Sequence, residues 1–270
     1  MISFPNAKIN IGLNILNKRE DGFHNIESIF YPIAWQDALE TCKSDSFAFN
    51  SSGLDIPGDT KNNLIIKAYN LIKNLIPKEE SVKIHLHKVI PMGAGLGGGS
   101  ADGAFALKLL NELFKLNLND DVLESMAAEL GSDCPFFIKN KPVFCYDRGI
   151  KFKEIDLDLS DYKIIVVNPN IHISTAEAYG AITPILPKSD LLDAIKSPMT
   201  GWAGLITNDF EEPLAKKYPK IQEVKEQLYQ LGACYASMTG SGSTVYGIFD
   251  KTIDTKKHFE GLTTWQGQML

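Results

Sequence analysis

A strand, a run of glycines and the start of a helix stand in that order near the centre of the chain. Val82, Ile84 and Leu86 alternate with Lys83, His85 and His87, the period of a strand buried on one face. The strand runs into Pro91-Met92-Gly93-Ala94-Gly95-Leu96-Gly97-Gly98-Gly99-Ser100, and from Ala101 to Phe114 apolar residues recur at helical spacing. Six of the 21 glycines fall between Gly93 and Gly103. Lacking side chains, they let backbone N–H groups close around a ligand, and the helix adds its own unpaired N–H groups and partial positive end. Such an end favours an anion by roughly 0.3–1 kcal/mol when exposed and up to ~2 kcal/mol when partly buried. Phosphate is the obvious occupant. The alternative is a turn that lets strand and helix pack closely, but three consecutive glycines cost order that a plain turn does not require.

The surroundings narrow the class of loop. A Walker loop needs G-x-x-x-x-G-K-[ST], whereas Gly93 and Gly98 are followed by Gly99-Ser100 with no lysine. Gly93, Gly95 and Gly98 satisfy G-x-G-x-x-G, but a dinucleotide fold also wants an acid about 20 residues on, after a second strand. Helix followed by Leu118-Asn119-Asp120 stands there instead. A protein kinase needs H-R-D and D-F-G, and neither tripeptide occurs.

Composition bounds the partners. With 27 Lys+Arg against 33 Asp+Glu the net charge is −6, which argues against nucleic acid and anionic membrane, since both need a positive surface field. Only Arg19 and Arg148 are arginines, so any phosphate site leans on lysine, backbone N–H groups and metal. At the usual ~150 residues per domain, 270 residues make about two domains. Cys42, Cys134, Cys145 and Cys234 show no C-x-x-C pair, so free thiols in a reducing cytoplasm are expected. The amino terminus reads as neither a signal peptide nor a membrane anchor.

Two α/β halves are the coarse picture. Ala7, Ile9, Ile11, Leu13 and Ile15 alternate with Lys8, Asn10, Gly12 and Asn14, which predicts a strand with Lys8 and Asn10 on one face. Strands over 26–33, 142–146, 163–167, 234–238 and 245–249 and helices over 64–75, 121–130, 176–181, 190–195 and 220–231 follow from the same patterning. The acid-rich stretch 154–161 is the best domain boundary, placed near 157.

Several residues invite two readings. Asp133 lies between a helix stop at Gly131 and Cys134-Pro135. It suits a base that accepts a hydroxyl proton, a role worth on the order of 10²–10⁴ in rate, and equally a helix N-cap. Lys8 is a mid-strand lysine, which strands disfavour, yet a solvated strand face also accounts for it. His24 beside Phe23 is either structural or, with that ring, a holder of a planar group. His85 and His87 share a face, but no third ligand stands at a matching spacing, so no metal site is expected. Thr239-Gly240-Ser241-Gly242-Ser243 joins two strands and is either a hairpin or a second approach to phosphate.

Pro5-x-Ala7-Lys8-Ile9-Asn10, Pro91 to Ser100 and Met238 to Ser243 together resemble the three motifs of the GHMP small-molecule kinases, in order across essentially the whole chain. Gly22-Phe23-His24, Gly131-Ser132-Asp133-Cys134-Pro135-Phe136-Phe137 and Asn208-Asp209-Phe210-Glu211 resemble the branch whose members phosphorylate 4-diphosphocytidyl-2-C-methyl-D-erythritol. The resemblance implies an α+β, or α/β, two-domain GHMP kinase fold. A ribosomal-S5-like ATP-binding domain would span 1–157 and a ferredoxin-like domain 158–270, the latter adding to the substrate site, with the active-site cleft between them. The implied reaction moves the γ-phosphoryl of ATP to a hydroxyl of that substrate, giving its 2-phosphate, in the non-mevalonate (methylerythritol phosphate) route to isoprenoids.

The resemblance further implies Lys8 and Asp133 as catalytic residues. Asn63, Leu64, Lys88 and the run Pro91, Met92, Gly93, Ala94, Gly95, Leu96, Gly97, Gly98, Gly99, Ser100 and Ala101 would hold ATP. Phe23 and Tyr179 would sandwich the cytosine, with His24 and Lys8 bonding the cytidine side. Asn10, Phe30 and Thr175 would line that pocket, and Gly240, Ser241 and Gly242 would approach the diphosphate. The partners are small molecules, ATP with its Mg²⁺ and the cytidyl substrate, and the protein a cytoplasmic monomer or homodimer without nucleic acid or membrane. The branch usually has tyrosine where Phe23 stands and a second hydroxyl where Ala101 stands, so no protein metal ligand is assigned. The alternatives are another GHMP kinase acting on mevalonate, homoserine or a sugar, an NAD-dependent oxidoreductase, and a non-catalytic nucleotide-binding module.

Overall fold

The computed structural model describes residues 1–187, 189–255 and 258–270. They form two compact units that interleave along the chain: residues 1–7, 35–92 and 97–141, and residues 8–34, 93–96 and 142–270. The domain boundary expected near 157 falls within the 142–270 stretch of the second unit.

The first unit is one sheet with helices on one face. Its strands are β1 (Ile2–Ser3), β4 (Ala38–Ser44), β5 (Ala48–Gly53) and β6 (Ser81–Lys88), in the order β1-β4-β6-β5, with β5 parallel to β6 and the other pairs antiparallel. The expected alternation on β6 holds: Val82, Ile84 and Leu86 are buried, and Lys83, His85 and His87 are exposed. Helices α1 (Leu64–Ile72), α2 (Gly98–Leu113), α3 (Asp120–Leu130) and α4 (Phe136–Lys139) belong to the same unit. The Asn63 side chain caps α1 by accepting from Ile65 N–H at 2.9 Å, and Asn119 caps α3 by accepting from Val122 N–H at 3.0 Å. Each cap stabilises its helix by about 1 kcal/mol. Gly103 brings α1 and α2 together, because a Cβ there would stand 2.9 Å from the Leu64 Cβ.

The second unit holds two sheets. One has the order β2-β3-β7-β8, built from β2 (Asn6–Lys18), β3 (His24–Gln36), β7 (Val143–Tyr146) and β8 (Lys151–Glu154); the Asn6–Ala7 and Trp35–Gln36 ends of its long strands belong to the first unit. The other is antiparallel, order β10-β11-β9-β12, from β9 (Lys163–Asn168), β10 (Tyr235–Met238), β11 (Val245–Phe249) and β12 (Thr263–Gln268). Helices α5 (Thr175–Gly180), α6 (Leu191–Ala194), α7 (Trp202–Leu205), α8 (Glu211–Lys217) and α9 (Pro219–Gln230) complete it. Ile221, Val224 and Leu228 of α9 join Ile165, Val167, Val245 and Phe249 in one core. Each such side chain contributes roughly 1.5–3 kcal/mol on burial.

One expectation fails in a useful way. The polar face of β2 is not solvated: Lys8 is 3% exposed, and Asn10 and Asn14 are buried with it. Its polar groups are met by others. The Asn10 side chain donates to Ser28 Oγ at 2.8 Å, Ser28 Oγ donates to Gly12 O at 2.6 Å, and Tyr246 OH donates to Asn10 O at 2.8 Å. A polar strand face can be buried at little cost only when such partners exist.

Candidate active site

In the first unit the end of β6 and the start of α2 are fastened by a buried cation. The Lys88 ammonium donates to Asp37 Oδ2 and to Asp102 Oδ2, both at 2.6 Å, with its side chain wholly inaccessible. Asp37 Oδ1 in turn accepts the Val89 and Ile90 N–H groups at 2.6 and 2.9 Å. Two carboxylates thus share one lysine, and Asp102 Oδ1 is buried without a hydrogen-bond partner. Burial, with Asp37 adding to it and Lys88 opposing it, pushes the Asp102 carboxyl up to about 7. Gly98 makes this packing possible, since a Cβ there would lie 3.1 Å from Lys88 Nζ and 2.8 Å from Ile90 Cγ2.

Above that cation α2 opens without a side-chain cap. Gly97 adopts φ 69°, a left-handed conformation suited to glycine, and the first helical bond runs from Ala101 N–H to Gly97 O at 2.9 Å. The N–H groups of Gly98, Gly99 and Ser100 therefore have no carbonyl one turn back to bind. A cavity of about 550 Å³ is lined by Met92, Gly99 and Asp102 of this region, by Asn63 and Leu64 at the start of α1, and by residues 49–60 and 62. Four of the expected ATP residues, Asn63, Leu64, Met92 and Gly99, are therefore brought to one cavity. The Lys88 head group is committed to its two carboxylates instead.

Asp133 lies half-buried in a turn before α4. It is not the helix cap, because Pro135 holds that position and no side chain caps α4. The neighbouring Cys134 is inert as a nucleophile: burial pushes its thiol up to about 12 against a hydrogen bond from Ser100.

The second unit gathers the remaining residues. Lys8 Nζ donates to Asn10 Oδ1 at 2.5 Å and stands 4.5 Å from the centre of the Phe30 ring. Gly95 packs directly on the second glycine cluster, where a Cβ would come within 2.2 Å of Thr239 O. Thr239 Oγ1 donates to Gly95 O at 3.1 Å and accepts Asn10 N–H at 3.0 Å. His24 and Tyr179 stack at 4.8 Å, and Tyr179 meets Phe210 edge-on at 4.9 Å. Phe23, 58% exposed, lies against Arg148. Thr175 opens α5 and is exposed.

The Asn208-Asp209-Phe210-Glu211 motif, which in the sequence carried a resemblance but no role, holds these parts in place. Asn208 donates to Met238 O at 2.8 Å and to Gly240 O at 2.9 Å, and Glu211 Oε2 accepts Met238 N–H at 2.7 Å. Asp209 Oδ2 accepts Ile15 N–H at 2.7 Å. The Asn208–Glu211 motif is therefore a brace for the second glycine cluster and for β2. Asp37 and Asp102 gave no local signal, since a buried carboxylate is announced only by a distant lysine. Residues 49–60, which line the cavity, raised no sequence expectation, since Ser, Gly, Pro and Asp there form no periodic pattern.

Among the described residues no three His, Cys, Asp or Glu side chains converge on a point that could hold a metal ion. His85 Nε2 and His87 Nδ1 instead share the Ser52 hydroxyl, at 2.9 and 3.0 Å.

Known proteins resemble this chain in sequence and in fold. The GHMP kinases N terminal domain matches residues 63–141, and the GHMP kinases C terminal domain matches residues 190–257. A 4-diphosphocytidyl-2-C-methyl-D-erythritol kinase from Parabacteroides distasonis is 47% identical over 100% of both chains, and one from Bacteroides fragilis is 48% identical over the same span. A crystal structure of 4-(cytidine 5'-diphospho)-2C-methyl-D-erythritol kinase superposes with a TM-score of 0.77 at 29% identity, covering 92% of this chain and 90% of that one. A mevalonate kinase shares the fold at a TM-score of 0.74, 18% identity and coverage of 100% and 99%. Full-length identity near one half, both family domains and the shared fold give one conclusion: the chain belongs to the 4-diphosphocytidyl-2-C-methyl-D-erythritol kinase family of the GHMP kinases.

Proposed function

We infer that the chain transfers the γ-phosphoryl group of ATP to a hydroxyl of 4-diphosphocytidyl-2-C-methyl-D-erythritol, giving the 2-phosphate of the methylerythritol phosphate route to isoprenoids. The observation that carries it is the open N-terminus of α2 beside a cavity of about 550 Å³. A nucleoside fits such a volume, and the Gly98, Gly99 and Ser100 amides meet its phosphates as donors that need no arginine.

In this proposal Asp133 accepts the proton of the attacking hydroxyl, and Lys8 opposes the negative charge that develops in the transition state. Phe23, His24 and Tyr179 receive the cytosine, with Asn10, Phe30 and Thr175 around it and Gly240, Ser241 and Gly242 near the diphosphate. Bound with the nucleotide, Mg²⁺ would supply neutralisation of phosphate charge there. The donors at the loop, the Ser100 hydroxyl and an Asp102 carboxyl already tied to Lys88, suit an ion held by phosphate oxygens and water more than a protein cage. Residues 1–157 carry the ATP site and 158–270 add to the substrate site; the two family matches fall one on each side of residue 157, which supports this division. The proposed protein is a cytoplasmic monomer or homodimer; among the described residues no helix is long and apolar enough to cross a membrane.

Purified protein with Mg·ATP and the cytidyl substrate should release ADP, and mevalonate or homoserine in its place should not. Asp133→Asn should lower kcat by at least ~10² with little change in either KM, as expected for a group acting in the transition state. A kcat within tenfold of wild type removes Asp133 from the role of base.

A further inference from the structure

The only two arginines of the chain meet at one place, where two hairpin tips exchange side chains. The turn between β2 and β3 is tightly tied: Arg19 N–H donates to Phe23 O at 2.8 Å, and Phe23 N–H donates to Asp21 Oδ1 at 3.1 Å. From this turn the Arg19 guanidinium reaches Asp147 Oδ1 at 2.6 Å, in the turn between β7 and β8. Ile26 N–H adds a bond to Asp147 O at 2.7 Å. Arg148 reaches back the other way. Its guanidinium carbon lies 5.0 Å from the centre of the Phe23 ring, and its Nη1 lies 3.9 Å from Asp21 Oδ2.

Phe23 is thus an apolar ring left 58% exposed on a backbone that cannot swing freely. A guanidinium covers it from one side. The cation draws π density toward itself, so the opposite face of the ring is less negative and repels the π cloud of a stacked base less. Arg19 cannot take this part, because Asp21, Asn25 and Asp147 already hold it.

We propose that Arg148 is a positioning residue for the pyrimidine base of the substrate, acting through Phe23, whose ring it holds in place and polarises. This rests on the reading above in which Phe23 receives the base. Arg148 does not itself touch the substrate. Its planar, delocalised cation matches the ring in a way a lysine ammonium matches only in charge.

Steady-state kinetics of the full chain separate the possibilities. Arg148→Ala should raise KM for the cytidyl substrate about threefold, the scale of one exposed cation–π contact, with a much smaller change in kcat and in KM for ATP. Arg148→Lys should recover part of the loss. Phe23→Ala should raise the same KM about tenfold or more, the scale of one base–aromatic stack. In the Phe23→Ala background the Arg148→Ala change should then have no further effect, because the ring through which it acts is gone. An undiminished effect in that background means a direct contact with substrate and overturns the proposal. No effect of Arg148→Ala in the wild-type background also overturns it, while leaving Phe23 as the stacking residue. If Phe23→Ala itself leaves KM unchanged, the placement of the base at Phe23 fails first. Should Arg148→Ala melt early, Arg148→Met keeps the packing stem, removes the charge and carries the same expectations.

Discussion

The two glycine clusters are similar in composition and opposite in construction. In the first, the chain leaves Gly97 and enters a helix of 16 residues, so three consecutive amides face outward with nothing behind them to bond. In the second, between β10 and β11, two of the amides are used internally: Thr239 N–H donates to Thr244 O at 2.9 Å and Gly242 N–H to Thr239 O at 3.1 Å. Glycine in the second cluster mainly permits close packing. Glycine content alone therefore does not say how many amides a loop keeps for an anion; what the backbone does next decides it.

The comparison can be broken most forcefully where the clusters touch. Gly95 has φ 79°, and a Cβ there would come within 2.2 Å of a backbone oxygen, Thr239 O. Gly95→Ala should cost about 3 kcal/mol or more in chemical denaturation, or prevent folding, since strain and overlap add. Gly242→Ala should cost less, about 1–2 kcal/mol: its φ is 85°, but the nearest atom is the flexible Met238 Sδ at 2.7 Å. Equal losses at the two sites would mean that the contact between the clusters is not rigid.

Beneath the first cluster sits a carboxyl whose proton burial helps to retain. The Asp102 carboxyl, pushed up from 3.8 to about 7, keeps its proton in the fold at pH values where the unfolded chain has released it. The stability tied to that proton is fully present below about pH 4 and is lost as the pH rises through 7. Asp102→Asn should flatten that fall in melting temperature between pH 4 and 7, and an unchanged slope would show that Asp102 is ionised throughout. The smallest stability effect belongs to Gly99→Ala, within about 0.5 kcal/mol, because a Cβ there meets only the flexible end of Met92, Cε at 3.3 Å and Sδ at 3.8 Å. If its amide meets phosphate, this variant should nonetheless raise KM for ATP and spare the cytidyl substrate.

The chain announced its local structure well and its long-range polar pairing poorly. Alternation on β6 and the glycine run before α2 survive into the structure because period and backbone freedom are local properties. Lys8 was legible as odd, a lysine in mid-strand, but its burial was not, because the partners that satisfy that face, Ser28, Thr239 and Tyr246, lie from 18 to 236 residues away from Asn10. The Lys88 triad is hidden for the same reason: Asp37 is 51 residues from Lys88 and Asp102 is 14. Strands β4 and β12 went unread, since β4 shows polar residues at several outward positions and β12 contains Gln266, Gly267 and Gln268.

The hairpin junction has a chemical corollary. Because Arg19 and Arg148 are the only guanidinium groups in the molecule and both are fastened there, a reagent selective for arginine attacks one site alone. With Arg19 tied into three partners, the half-exposed Arg148 should be labelled first. Phenylglyoxal becomes a single-point reporter, and protection of that one residue by a bound ligand can be read by mass without altering the sequence.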